Sequence, residues 1–302
     1  MNSWLWIPIV IVSGALQTVR NASQKSLTKS AGTLAATFVR FFYGLPFTVA
    51  ALAIVLAAEG RALPAANVAF AAWVFAGATA QLAATALLLA AMTQRSFIVS
   101  MAYAKTEALQ IAVFSALILG ELVSTTTAGA IAISTAGVIM MSLRPGALRS
   151  GSLKDWFSAT AMLGIGSGAC FALSAVCFRA AILESGDVTP WLGGINTLLW
   201  TQVLQTVFLG AYLLWRDRGG LMEVFRSWRV SLLAGLTGSL SSMGWFTAFA
   251  MRNPADVRTL GMVEMLFGYA ISHLYFKERT TLREVLGIVL LVIGLILLCT
   301  QM

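Results

Sequence analysis

The sequence predicts an all-α membrane protein: ten transmembrane helices as two inverted five-helix repeats around a central cavity. Three observations carry that reading. Hydrophobic residues make up 59% of the 302 residues and charged residues only 11%. A soluble domain has about 45–50% and 25%, so too few polar side chains remain to cover a soluble surface. The apolar sequence also falls into ten stretches near the roughly 20 residues that a bilayer requires. Finally, Glu107, Glu121 and Gly137 recur as Glu264, Glu278 and Gly294, each pair 157 residues apart.

The ten stretches cover 4–24, 33–57, 66–92, 97–119, 124–143, 156–182, 189–214, 229–251, 255–276 and 281–300. No basic region precedes the first, as a cleavable signal would have, so it is expected to stay as a membrane helix. That helix aligns Gln17, Asn21 and Gln24 on one face. The second carries Arg40 about two turns in, within Val39-Arg40-Phe41. The third sets Gly77, Gln81 and Leu88 on one face. In the fourth, Tyr103, Glu107, Gln110 and Phe114 follow at helical spacing, with Lys105 beside them, and Gly120-Glu121 ends it. The fifth closes the first half.

The halves divide near Pro145 to Ser150, as 1–146 and 147–302 of one integral membrane domain. The sixth helix contains Gly164-Ile165-Gly166-Ser167-Gly168, small residues that permit close helix contact. The seventh holds Trp200 at depth. The eighth aligns Ser239, Ser242, Phe246 and Phe249, with Trp245 alongside. The ninth aligns Glu264, Phe267, Gly268 and Ile271 and ends in Lys277-Glu278. The tenth completes the second half. Five helices are an odd number, so the second repeat sits inverted relative to the first.

Loop charge sets the orientation. Thirteen Lys and Arg residues fall on one side, and only Arg61, Arg252 and Arg258 on the other. The positive-inside rule puts the thirteen in the cytoplasm and both termini outside.

Several functions are excluded or unsupported. The net charge of +8 is scattered through short loops, without the basic face or aromatic-basic interleaving of a nucleic-acid binder. Cys170, Cys177 and Cys299 lie in apolar runs and suit buried thiols better than a disulfide or metal framework. No phosphate-binding loop, metal-ligand motif or catalytic constellation is present, so no enzyme activity, metal or cofactor is expected.

The acidic residues at mid-membrane depth carry the functional reading, because ionisable groups there are costly and mark transport paths. Glu107 and Glu264 either line a cavity for a polar substrate or are protonated and hydrogen-bonded between helices. Lys105 either snorkels, pairs with an acid, or meets a substrate carboxylate. Arg20 lies close enough to a helix end to reach the interface; it and Arg40 have structural or gating roles as the alternative, as do Glu121 and Glu278. Gln17, Gln81, Ser242, Tyr103, Trp200 and Trp245 complete the candidate substrate contacts, the aromatics by stacking. His273 stands about half a turn round the helix from Glu264 and is not expected to face it.

Ten helices in two halves, Val39-Arg40-Phe41, and Gly120-Glu121 ending helix 4 resemble the EamA branch of the drug/metabolite transporter superfamily. Many relatives carry Pro in the middle of helix 4. Here Ala104-Lys105-Thr106-Glu107 stands there and looks like the YddG-type aromatic amino-acid exporters. The resemblance implies a bacterial inner-membrane exporter working by alternating access and does not fix the substrate; amino acids, aromatic ones included, are the expected cargo and a monomer the expected functional unit. Its partners would be the small-molecule substrate and the lipid bilayer. A broad metabolite or drug exporter is the alternative, followed by a membrane enzyme or structural subunit.

Overall fold

The computed structural model describes residues 4–94, 97–142, 159–274 and 282–300. The proposed boundary between the halves and Glu278 lie outside the described residues. Among those described, thirteen α-helices follow one another with no strand between them: α1 (Trp6–Phe42), α2 (Leu45–Glu59), α3 (Val68–Gln94), α4 (Phe97–Ala104), α5 (Glu107–Phe114), α6 (Thr125–Ser142), α7 (Ala159–Glu184), α8 (Pro190–Arg216), α9 (Arg218–Arg226), α10 (Trp228–Met251), α11 (Pro254–Leu260), α12 (Glu264–Leu274) and α13 (Leu282–Cys299).

Among the described residues, five helical stretches are long and apolar enough to cross a membrane: Trp6–Glu59, Val68–Gln94, Ser100–Leu119, Ala159–Glu184 and Pro190–Arg216. The first is a hairpin. Gly32 breaks α1 at φ +80°, a backbone conformation that glycine adopts without a Cβ penalty. Gln24 Nε2 then donates to the carbonyl of Ala36, 2.7 Å away. Twelve residues of straight helix would span about 18 Å, so the chain doubles back at Gly32. The expected loop between helices 1 and 2 is therefore a single-residue break.

Local signals end the other helices. Thr189 caps α8 by accepting from the Leu192 amide, with Pro190 in the first turn; Asn253 caps α11 in the same way, with Pro254 following. Gly60 and Gly120 close α2 and the Ser115–Leu119 π-turn in the left-handed conformation. Asp217 caps α9, a short helix where a loop was expected. It forms because Leu221 and Val224 meet the body of the protein on one face while its charges stay on the other.

Three long-range helix pairings dominate the packing. α1 runs along α10, and α7 runs along α3. α6 runs along α13. At that last contact the recurring glycines meet the opposite backbone. A β-carbon on Gly137 would lie 2.6 Å from the Gly287 carbonyl oxygen, and one on Gly294 would lie 2.9 Å from the Ala130 carbonyl oxygen. Only hydrogen fits at either position.

The burial pattern inverts that of a soluble protein. Large apolar side chains such as Val68, Leu117 and Leu122 face outward, while Gln24, Thr85, Ser167, Gln205 and Ser239 are buried. Such an exterior is solvated by lipid, and the interior satisfies its own polar groups.

Candidate functional site

Two of the expected continuous helices are interrupted at equivalent places. Helix 4 divides into α4 and α5 at Lys105 and Thr106. The amide of Thr106 bonds Tyr103 at 3.3 Å and that of Ala108 bonds Lys105 at 3.3 Å. These three-residue steps tighten the turn, and the Thr106 hydroxyl donates to the Tyr103 carbonyl at 2.8 Å. Helix 9 divides into α11 and α12 at a 3₁₀ turn, Gly261–Val263. A short tightened stretch within a longer helix is a common feature of functional hinges. Glu107 is the first residue of α5 and Glu264 the first of α12. Each carboxylate thus lies at the positive end of a half-helix.

Small residues bring both breaks into contact with a neighbouring helix. Gly168 of α7 sits against the Ala104 carbonyl and the Glu107 amide. Gly14 of α1 sits against Glu264, with van der Waals contact at 3.6 Å from an added β-carbon. Both acids are buried as a result, Glu107 to 2% exposure and Glu264 to 1%.

Each acid is matched to a cation from the opposite break. Lys105 Nζ lies 2.5 Å from Glu264 Oε2 and 3.9 Å from Glu107 Oε1. Arg258 Nη1 of α11 lies 3.6 Å from Glu107 Oε1. Glu264 also accepts from Gln17 Nε2 at 2.8 Å and Asn21 Nδ2 at 3.1 Å. Buried charges require this kind of pairing and hydrogen bonding.

Two more arginines stand beside the ion pairs. Arg20 donates through Nε and Nη2 to Asn21 Oδ1, at 3.2 and 2.7 Å. Arg40 donates to the Thr85 hydroxyl at 3.0 Å and the Ser242 hydroxyl at 3.3 Å. Gly238 of α10 makes room for both, since a β-carbon there would lie 3.0 Å from Arg20 Cδ and 3.4 Å from Arg40 Cβ. Both are fully enclosed, and neither reaches a membrane interface. That corrects the interfacial reading of Arg20.

The aromatic candidates separate. Trp245 is buried and lies over the Arg258 guanidinium, 4.6 Å from ring centroid to Cζ, with Phe249 at 5.4 Å and Phe171 at 5.9 Å. Gly261 in the 3₁₀ turn leaves space for its ring. Trp200 is 42% exposed, on the apolar outer face with Val203 and Val207, and takes no part in the cluster. Tyr103 packs directly over Gly164 of α7. Gln81 accepts from Gln205 Nε2 at 3.0 Å, one turn from Thr85. Glu121 pairs with Arg179 at 3.1 Å, and Arg179 also donates to the Phe249 and Ala250 carbonyls. His273 is exposed on α12 and stacks with Tyr269 at 6.5 Å.

Sequence reasoning missed Arg258 as a site residue. It was counted among outer-loop cations, and the structure places it inside. Its position four residues past Pro254, within the first turns of a capped helix, was the available signal. Above it, near the start of α11, Ser124, Thr127, Arg252, Asn253 and Asp256 line a surface hollow of about 230 Å³. Among the described residues no cluster of His, Cys, Asp and Glu is arranged to hold a metal.

Residues 158–300 match the model of the EamA-like transporter family. That stretch, just under half of the chain, is similar to an EamA-like transporter domain. It contains α7 to α13, hence Arg258, Trp245 and Glu264. A solved crystal structure superposes with a TM-score of 0.66 at 15% identity, covering 96% of this chain and 94% of its own. It is one of 27 matching chains of solved structures, and at that identity the likeness shows a shared fold alone. No curated protein matches the chain in sequence. The fold likeness spans both the stretch that matches the family model and the residues before it.

Proposed function

We propose that the chain is a secondary transporter with ten membrane crossings that exports amino acids, aromatic ones included, from the cytoplasm by alternating access. The observation that carries this reading is the pair of glutamates at equivalent helix breaks, each matched to a cation from the other half. Ionisable groups buried in a membrane protein belong by default to a substrate or ion path. Discontinuous helices meeting at the interface of two repeats are the usual construction of a transporter site. The likeness of residues 158–300 to the EamA-like transporter family supports the transporter class.

In this reading the two five-helix halves rock about the cluster. Lys105–Glu264 and Arg258–Glu107 cross between them, so opening on one side requires these contacts to loosen. Substrate groups replace the lost partners. The zwitterionic end of an amino acid would meet the cations and glutamates, with Gln17, Gln81 and Ser242 nearby and Trp245 against the side chain. Glu121 and Arg179 close one end of helix 4 against the end of α10. The chain would sit in a bacterial inner membrane with both termini outside, functional as a monomer.

Counterflow into proteoliposomes, with a panel of amino acids and with or without a pH gradient, tests this reading. Saturable exchange of amino acids supports it. Exchange confined to apolar cations, or none from folded protein, contradicts it.

A further inference from the structure

The six fully buried charged side chains among the described residues are Arg20, Arg40, Lys105, Arg258, Glu107 and Glu264. Four are cationic and two acidic. A guanidinium does not release its proton in a protein. Three arginines therefore outnumber two carboxylates even if Lys105 is neutral, and protonating either glutamate widens the excess. The cluster is positive in every protonation state available to it.

The surplus charge is not distributed evenly. The glutamates are engaged by Lys105 and Arg258. Among the described residues, Arg20 and Arg40 have no carboxylate within 4.0 Å and are held by amide and hydroxyl oxygens, with Glu264 the counter-charge acting on Arg20. Among the described residues of the cluster, Arg20 Nη1, Arg258 Nε and Trp245 Nε1 are buried donors with no hydrogen-bond partner, and Glu107 Oε1 is a buried acceptor with none. The donors outnumber the acceptor. Buried donors and unbalanced cations are unfavourable unless an acceptor satisfies them. A guanidinium fork is shaped for carboxylate or phosphate. A zwitterion adds no net charge to this site, and an amine increases the excess.

We propose that the cluster is a binding site for a substrate of net negative charge, with its oxyanion on Arg20, Lys105 and Arg258 and an apolar or planar body beside Trp245 and Phe249. This rests on the transporter reading and narrows it. Among amino acids it favours those with an acidic side chain or a blocked amine. The anion joins the two glutamates as a third counter-charge, so it does not have to displace them completely.

The test compares probes that share a phenyl ring and differ in charge: N-acetylphenylalanine, phenyl phosphate, phenylalanine and phenethylamine. Binding to the purified full chain is followed by titration calorimetry and flux by counterflow in proteoliposomes. At least one anion should bind tenfold or more tightly than phenylalanine, and phenethylamine should not bind. Which anion is preferred separates a carboxylate from a phosphate site. An inside-negative potential should accelerate anion efflux. Arg20→Gln should remove the tenfold preference, while Arg20→Lys should keep most of it; if Arg20→Gln does not fold, the wild-type comparison decides. Equal or tighter binding of phenylalanine or phenethylamine, or no anion binding by folded protein, overturns the inference. Anion binding without flux contradicts transport and leaves the anion site standing. Saturable flux of phenylalanine with no anion preference does the reverse.

Discussion

Lys105 and Glu264, 159 residues apart in sequence, form a buried ion pair, 2.5 Å from Nζ to Oε2. They project from two helices that are each interrupted at this level, and Gln17 and Asn21 of α1 complete the carboxylate's shell. Removing one partner of such a pair leaves an uncompensated buried charge, which costs about 3–5 kcal/mol. Glu264→Gln or Lys105→Gln should therefore lower the thermal stability of the purified protein markedly. The double variant should be more stable than the sum of the single losses predicts, with a coupling of about 1–3 kcal/mol. Additive losses would show that the two groups do not interact.

The two tryptophans predict opposite outcomes. Trp245 covers Arg258 within the cluster, and a partly desolvated cation–π contact is worth about 0.5–2 kcal/mol. Trp245→Ala should reduce substrate affinity several-fold. Trp200 faces outward beside Val203 and Val207, so Trp200→Ala should leave uptake kinetics close to wild type. Comparable losses from both would contradict the placement of Trp200 outside the site.

The depth of Trp200 was legible in the sequence but its direction was not read. Thr197, Thr201 and Gln205 mark the inward face of α8, while Trp200, Val203 and Val207 mark the outward one. That alternation was available as a signal. The central glutamates and the α6–α13 glycines were found because the chain repeats them. The break in helix 4 had no such signal, since Ala104-Lys105-Thr106-Glu107 contains neither Gly nor Pro and any of its residues continues a helix. Its cause is tertiary: Gly168 of α7 packs on it and a lysine is drawn toward an acid in the other half. For Arg258 the Asn253-Pro254 cap signals a place inside a helix, but that the side chain turns inward is set by packing.

The recurring glycines carry a stability prediction. Gly137→Val and Gly294→Val each force a side chain into backbone atoms less than 3 Å away. Overpacking of this kind costs about 1–3 kcal/mol. Each should lower the melting temperature in detergent, whereas Gly166→Ala, where an added β-carbon meets only Leu87 at 3.7 Å, should not. Unchanged melting of the valine variants would mean that α6 and α13 do not approach so closely.

Orientation is tested independently of transport. With Arg258 inside the protein, the side expected to face outward retains only Arg61 and Arg252 from the original count, which sharpens the charge bias. A C-terminal reporter that is active only in the cytoplasm should be silent, and one active only outside should report. A bright cytoplasmic signal would reverse the assigned direction.

The central claim is that the cross-paired glutamates lie on a transport path. Its most direct measurement is the initial rate of saturable substrate exchange in proteoliposomes for wild type, Glu107→Gln and Glu264→Gln, with helicity and monodispersity verified for each. Glutamine keeps the size and removes the charge, so a carboxylate needed for the transport cycle predicts that each folded variant falls at least tenfold. Wild-type exchange in both folded variants would contradict the account and leave the acidic repeat as a feature of folding alone.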